Sequence, residues 1–300
     1  MQSEKLTPRQ ESGSYLVAFV FIVTMVAAAS FWDDREIVLP EIAAMAVALL
    51  AYREQNWMRH PEKIFLWPTV TALLGFGINL LAIPFALKLA FVLVAMLLFF
   101  ALFRYSLAPA LATGFLPVVT NAIEYSFVAA ILLSTFLLML AVVLGKLRRT
   151  ADRTSVVQTS ILWVYGAIVL ASMGIAAALG YIQLAVLPPV AVVVYESLHM
   201  KMYSWRMVLK QTVVLTLSAA IGVTLFLLIS NWIWVVVIDM LLMWGLLRVF
   251  KMRMPAVYAF PLLAYVFPPQ SLTLLPVAAL LVSGFSLSAV LLFHQRKRVA

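Results

Sequence analysis

Residues 127–145 read FVAAILLSTFLLMLAVVLG. No charge interrupts the run, and its only hydroxyls are Ser134 and Thr135. At 1.5 Å rise per residue a helix of this length spans roughly 28 Å, close to the ~30 Å hydrocarbon core of a bilayer. The run is continuous rather than alternating, which predicts a helix and not a barrel strand. In lipid only helices and closed barrels satisfy every backbone N–H and C=O.

Runs of the same kind fill the chain on both sides of this one. They fall at 15–31, 37–52, 64–83, 86–103 and 107–125 before it, and at 160–179, 181–198, 208–229, 232–250, 254–269 and 272–293 after it. Hydrophobic residues make up 65% of the 300 and charged residues 11%. A soluble domain carries about 45–50% and about 25%, and it cannot hide this much apolar surface from water. The sequence therefore predicts an all-α polytopic membrane protein of about twelve transmembrane helices.

Lysine and arginine orient the chain. With the N-terminus in the cytoplasm, all but two of the 21 basic residues fall on the cytoplasmic side. The exceptions are Arg35 and Lys88. This is the positive-inside pattern, and it places both termini in the cytoplasm and the protein in the cell membrane. The net charge of +9 is read as this retention of cations and not as a nucleic-acid surface. Met1 to Ser14 is polar, and the run at 15–31 shows no cleavage pattern, so it is expected to remain as a span. Cysteine is absent, which excludes disulfides, thiolate metal sites and cysteine nucleophiles.

The two halves echo each other. Leu39-Pro40 answers to Leu187-Pro188, Met25 to Met173, and Trp57 to Trp205, each 148 positions on. Lys63, Thr69 and Gly75 answer to Lys210, Thr216 and Gly222, 147 positions on. Pro109-Ala110 answers to Pro255-Ala256, 146 positions on. Six spans per unit is an even number, so the expectation is two parallel six-helix repeats related by an axis along the membrane normal. The units cover 15–145 and 160–293. The segment 1–14 is a cytoplasmic tail, 146–159 a basic cytoplasmic linker and 294–300 a second tail.

The stretch Ser106-Leu107-Ala108-Pro109-Ala110-Leu111-Ala112-Thr113 resembles the His-Pro-Pro-Ala-Gly-Ala-Thr motif of the HPP family of integral membrane proteins. Leu107 and Ala108 stand where that motif has His and its first Pro, and Leu111 where it has Gly. The second unit keeps Met254-Pro255-Ala256-Val257-Tyr258-Ala259. The resemblance covers about four spans in each unit. It implies a helical membrane protein, with transport of nitrite or a related anion.

Ionisable groups inside spans are costly and so are functional candidates. Asp239 lies about eight residues into its span, roughly 12 Å deep. It reads either as a proton or cation site or as a structural carboxyl that bridges helices. Glu41 follows Pro40 and reads as lining an outer vestibule or as a rim carboxylate. Asn121 and Asn79 offer amides to a solute or to a neighbouring helix, and Glu124 reads as a boundary residue. Glu196 and His199 have the Glu-x-x-His spacing of di-iron bundles, but they sit at a span end without further carboxylates and read as a boundary pair. No metal or cofactor is expected, and His60 and His294 invite no metal reading.

Two spans at matching places, 107–125 and 254–269, are broken by proline. Interrupted helices in corresponding positions are where a transporter's site is expected. A central site is therefore predicted near Pro109, Pro117, Asn121, Pro255, Tyr258, Pro261 and Tyr265.

The function expected from these features is secondary transport of a small solute, such as an inorganic or organic anion, with proton coupling through Asp239. A non-transporting scaffold is the alternative. An intramembrane enzyme is disfavoured by the lack of a nucleophile or carboxylate cluster. The expected partners are membrane lipids and a small-molecule or ion substrate, with no nucleic acid. The charge pattern fits a monomer or a homo-oligomer equally.

Overall fold

The computed structural model describes residues 8–105, 107–149 and 158–299. Lys5, Ser106 and Arg153, which enter the charge pattern and the motif, lie outside the described residues, as does most of the linker. Among the described residues every regular element is helical.

Among the described residues, seven helices are long and apolar enough to cross a membrane. They are α1 (Pro8–Trp32), α4 (Phe85–Phe103), α6 (Tyr125–Leu144), α7 (Thr159–Ala178), α9 (Trp205–Leu228), α10 (Trp232–Phe250) and α13 (Leu275–Val299). They turn large apolar side chains outward. In α4 the exposed residues are Leu87, Phe91, Val94, Leu98 and Leu102, spaced three and four apart as one helical face requires. A stripe of that size facing water is untenable, so lipid is its solvent.

The other five apolar runs form helices that are shorter or more polar. α2 (Pro40–Ala46) continues as a π turn over Val47–Ala51. α3 covers Pro61–Asn79, with Glu62 and Lys63 in its first turn and Pro68 inside it. α5 is Ala108–Val119 and α8 is Pro188–Leu198. The run at 254–269 becomes a 3-10 turn, Pro255–Tyr258, followed by α11, Phe260–Val266. A four-residue turn, α12 (Pro269–Leu272), leads to α13.

Proline explains the short helices. They begin at Pro40, Ala108-Pro109, Pro188-Pro189 and Pro255, each behind an extended residue: Leu39, Leu107, Leu187 and Met254. The residue before a proline is pushed out of the helical region, and a first-turn proline loses no hydrogen bond. In 107–125 the extended residue sits at Leu107 itself, two before Pro109, and the helix ends at Val119. The chain thus enters extended and coils only part-way.

The short helices form the interior. Every residue of α5 is buried. So is every residue of α8 except Glu196. Around them α3 packs on α5 and α6, while α9 packs on α11 and α13. α1 packs on α10, and α4 on α7. At the centre α5 lies against α8, and α2 lies against the 255–258 turn.

Two glycines permit the closest approaches. A Cβ on Gly75 of α3 would fall on the carbonyl oxygen of Gly114 in α5 and 2.9 Å from Pro117 Cγ. A Cβ on Gly222 of α9 would fall on Pro261 Cα in α11 and 2.7 Å from its Cβ. Hydroxyl pairs complete the first packing: Thr71 with Thr113 at 2.9 Å and Thr69 with Thr135 at 3.1 Å. α4 and α10 both stop on a basic residue in the left-handed region, Arg104 (φ 49) and Lys251 (φ 51).

Candidate functional site

All four short elements contribute their first turn to one central cleft. α2 supplies Glu41, α5 supplies Pro109, α8 supplies Pro189, and the 3-10 turn supplies Pro255. Trp57 closes it, and Glu196 reaches it from two turns further along α8. Pro189 and Glu196 are seven residues apart, roughly 10 Å of helix rise, so α8 runs along the cleft. The free space is about 10 Å³, room for roughly one water molecule.

Glu41 is 2% exposed. Neither of its carboxylate oxygens has a hydrogen-bond partner among the described residues. Glu196 is partly exposed by surface area yet enclosed by protein on every side. The two observations agree once its exposed face is the one turned to the cleft. Glu54, in the segment after α2, is within electrostatic reach of Glu196. Its amide donates to Ala48 O at 2.9 Å. Burial raises the Glu54 pKa above the ordinary carboxylate value, and Arg253 opposes that rise.

The predicted central site is brought together only in part. Glu41, Pro109 and Pro255 meet in the cleft. Pro117 and Pro261 instead take the close approaches of Gly75 and Gly222. Asn79 and Asn121 belong to a separate network. Asn79 Nδ2 donates to Ala122 O at 2.8 Å and lies 3.5 Å from Asn121 Oδ1. Lys88 Nζ donates to Asn79 O and to its Oδ1. Lys88 is therefore a tie between α3 and α4.

Tyr258 packs on Phe19 with ring centroids 5.9 Å apart. Tyr265 donates to Trp232 O at 3.1 Å. Asp239 is fully buried, both its oxygens lack a hydrogen-bond partner, and it lies within electrostatic reach of Tyr265. It does not line the cleft.

Sequence reasoning misses Glu196, Pro189 and Trp57. The echo of Leu39-Pro40 in Leu187-Pro188 is the available signal, because it sets Pro189 opposite Glu41. In sequence Glu196 pairs with His199 at a span boundary. Their backbones stay joined, His199 N donating to Glu196 O at 3.1 Å, but the side chains part: His199 Nδ1 bonds Tyr195 O at 2.8 Å, and Glu196 lines the cleft. Among the described residues no group of three metal-ligating side chains exists.

Other hollows lie around the centre. One, about 200 Å³, is lined by Arg35, Glu36, Thr120 and Val266. Glu36 accepts from Ile123 N at 2.8 Å and Glu124 N at 2.9 Å, tying the 35–37 turn to the start of α6. Burial raises its pKa, and those two amides oppose the rise. Another is an apolar groove of about 340 Å³ between α7 and α13.

No family model, no curated protein and no solved structure matches the chain.

Proposed function

We propose that the chain is a multi-pass membrane transporter that moves a small solute through the central cleft. One observation carries this reading: two carboxylates, Glu41 and Glu196, share a narrow cleft bounded by four proline-started short helices. Chain that coils only part-way through a bilayer is tolerated where protein or a water-filled cavity satisfies it, and such broken helices build the binding sites of transporters. A carboxylate at that depth costs several kcal/mol when charged, an expense that function explains and packing does not.

Two parallel units of six segments, with both ends cytoplasmic, make up the proposed architecture. Supporting it are the charge pattern, the paired contacts α1–α10 and α4–α7, the matched close approaches of Gly75 and Gly222, and the matched ends at Arg104 and Lys251. The resemblance to the HPP family makes nitrite and related anions the first solutes to try. The hollow beside Arg35 is the proposed way in.

The test is uptake of labelled nitrite, nitrate and formate into liposomes that hold the full-length protein. Entry of at least one solute above protein-free vesicles is expected. Folded, inserted protein that moves none of these or of a wider panel would favour a scaffold. The architecture is tested by single cysteines, which the cysteine-free chain makes clean. Leu80→Cys and Asn231→Cys should react with an impermeant reagent from outside, and Asn56→Cys and Lys251→Cys only from inside.

A further inference from the structure

We propose that Glu41, Glu196 and Glu54 form a proton path through the centre of the protein and couple solute movement to protons. The inference rests on the transport reading above and assigns its coupling ion and the residues that carry it.

The chemistry of the cleft selects the proton. Apart from the two glutamates, its lining is proline, alanine, valine and one tryptophan. A metal cation needs several oxygen ligands, six or so for hard ions, and two carboxylates do not supply them. A proton needs one carboxylate oxygen and a water to move through. Glu41 provides two oxygens with no partner, and the cleft has room for roughly one water.

The path continues towards Glu54. Glu54 is 8% exposed, and its carbonyl accepts from the amide of Trp57, which lines the cleft, at 3.1 Å; it also acts electrostatically on Glu196. It lies in turn within reach of Arg253, on the side that carries most of the basic residues. The elements packed around the cleft also carry Tyr15, Tyr52, Tyr165, Tyr195, His199, Tyr258 and His294, and, further along them, Glu11, Glu62, Lys63, Lys88, Arg206, Lys210, Asp239, Arg248, Arg253, Arg296 and Lys297. Among the described residues, Glu54 is the charged group that acts on Glu196. Asp239 stands apart from this line.

A proton taken from water on the outer side adds to the Glu41 carboxylate. It passes through the cleft water to Glu196, and Glu41 returns to its ionised form. Glu196 hands it to Glu54, which releases it to water beside Arg253. Each step moves one proton and one unit of charge and leaves every oxidation state unchanged.

The experiment uses full-length protein in liposomes with a pH-sensitive dye trapped inside. A potassium diffusion potential drives protons inward, with nitrite, nitrate or formate outside or with none. Entry of the labelled anion is read separately. Wild type should take up protons. Glu41→Gln and Glu196→Gln should each lower the rate by about a hundredfold, the order expected when a proton-transfer group is removed, while Glu41→Asp and Glu196→Asp keep a measurable part of it.

Proton flux without anion entry would keep the path and remove the transport reading. Anion entry without proton flux in wild type would do the reverse. Folded glutamine variants as active as wild type would overturn the path, as would a requirement for sodium or a loss confined to Asp239→Asn. If a glutamine variant does not fold, wild type is treated with dicyclohexylcarbodiimide, which adds to protonated carboxyls shielded from water. Modification of Glu41 or Glu196 together with blocked proton flux is expected. Absence of either result would overturn the proposal.

Discussion

Adding one methyl group at Gly75 tests whether the short helices are held by the close approaches described above. The new Cβ would fall on the carbonyl oxygen of Gly114 and 2.9 Å from Pro117 Cγ. Neither neighbour is the end of a flexible chain: one is backbone and the other a ring. α3 and α5 must therefore move apart, and overpacking of this kind costs about 1–3 kcal/mol. Alanine returns part of that, because glycine inside a helix costs roughly 0.5–1 kcal/mol relative to it. A net loss of about 1–2 kcal/mol remains, which is roughly a five- to thirty-fold change in the folding equilibrium. Gly77 lies two residues along on the same helix, and a Cβ added there would meet nothing within 4 Å. Gly77→Ala should therefore be neutral or stabilising. The pair is compared by SDS-titrated unfolding of detergent-solubilised protein, followed by tryptophan fluorescence. Gly222→Ala against Gly245→Ala repeats the comparison at Pro261, since Gly245 is also open. If Gly75→Ala is as stable as Gly77→Ala, the close-approach argument fails.

Three further predictions concern buried polar groups. Glu54 has a pKa raised by burial, so between the unfolded and folded values the folded state binds more protons, and stability falls as pH rises through that window; Glu54→Gln should flatten this dependence in thermal melts run across pH. Asp239→Leu should raise stability by about 1–3 kcal/mol in the same SDS titration, because it removes a buried carboxyl with no hydrogen-bond partner; a loss would reveal a stabilising role for the carboxyl. Asn79→Ala removes a 2.8 Å bond to Ala122 O and should cost about 0.6 kcal/mol, up to ~1.7, as interhelical bonds in membranes do.

Much of the fold is legible in the sequence. The uncharged run at 127–145 becomes α6 over Tyr125–Leu144, because a stretch with no charge and no proline has one way to satisfy its backbone in lipid. The positions of Pro40, Pro109, Pro188 and Pro255 are equally legible, but their full consequence is not. In sequence Pro109 and Pro255 read as breaks within a span and Pro40 and Pro188 only as a repeated Leu-Pro pair, whereas all four stand in the first turn of a helix that extends only part-way. Helix length depends on where the chain can remain extended and still be covered, and that depends on the surrounding helices. The run at 64–83 shows the same limit: Asn79 ends α3 through its ties to Ala122 and Lys88, partners that lie beyond its own helix.

The candidate site is legible in type and not in membership. Glu41, Pro109 and Pro255 are evident from sequence and do meet. Depth makes Asp239 the first candidate, yet depth along a helix does not say which neighbour a side chain faces. α8 is buried on nearly all sides, so its sequence has no polar face to mark the side that borders a cavity, and Glu196 looks like the end of a span. The sequence by itself determined the solvent and the helical class, because these follow from composition and the continuous apolar runs. Only the tertiary structure decided that Glu41 and Glu196 share one cleft and that Asp239 does not reach it, because those facts depend on how helices far apart in the chain are rotated against one another.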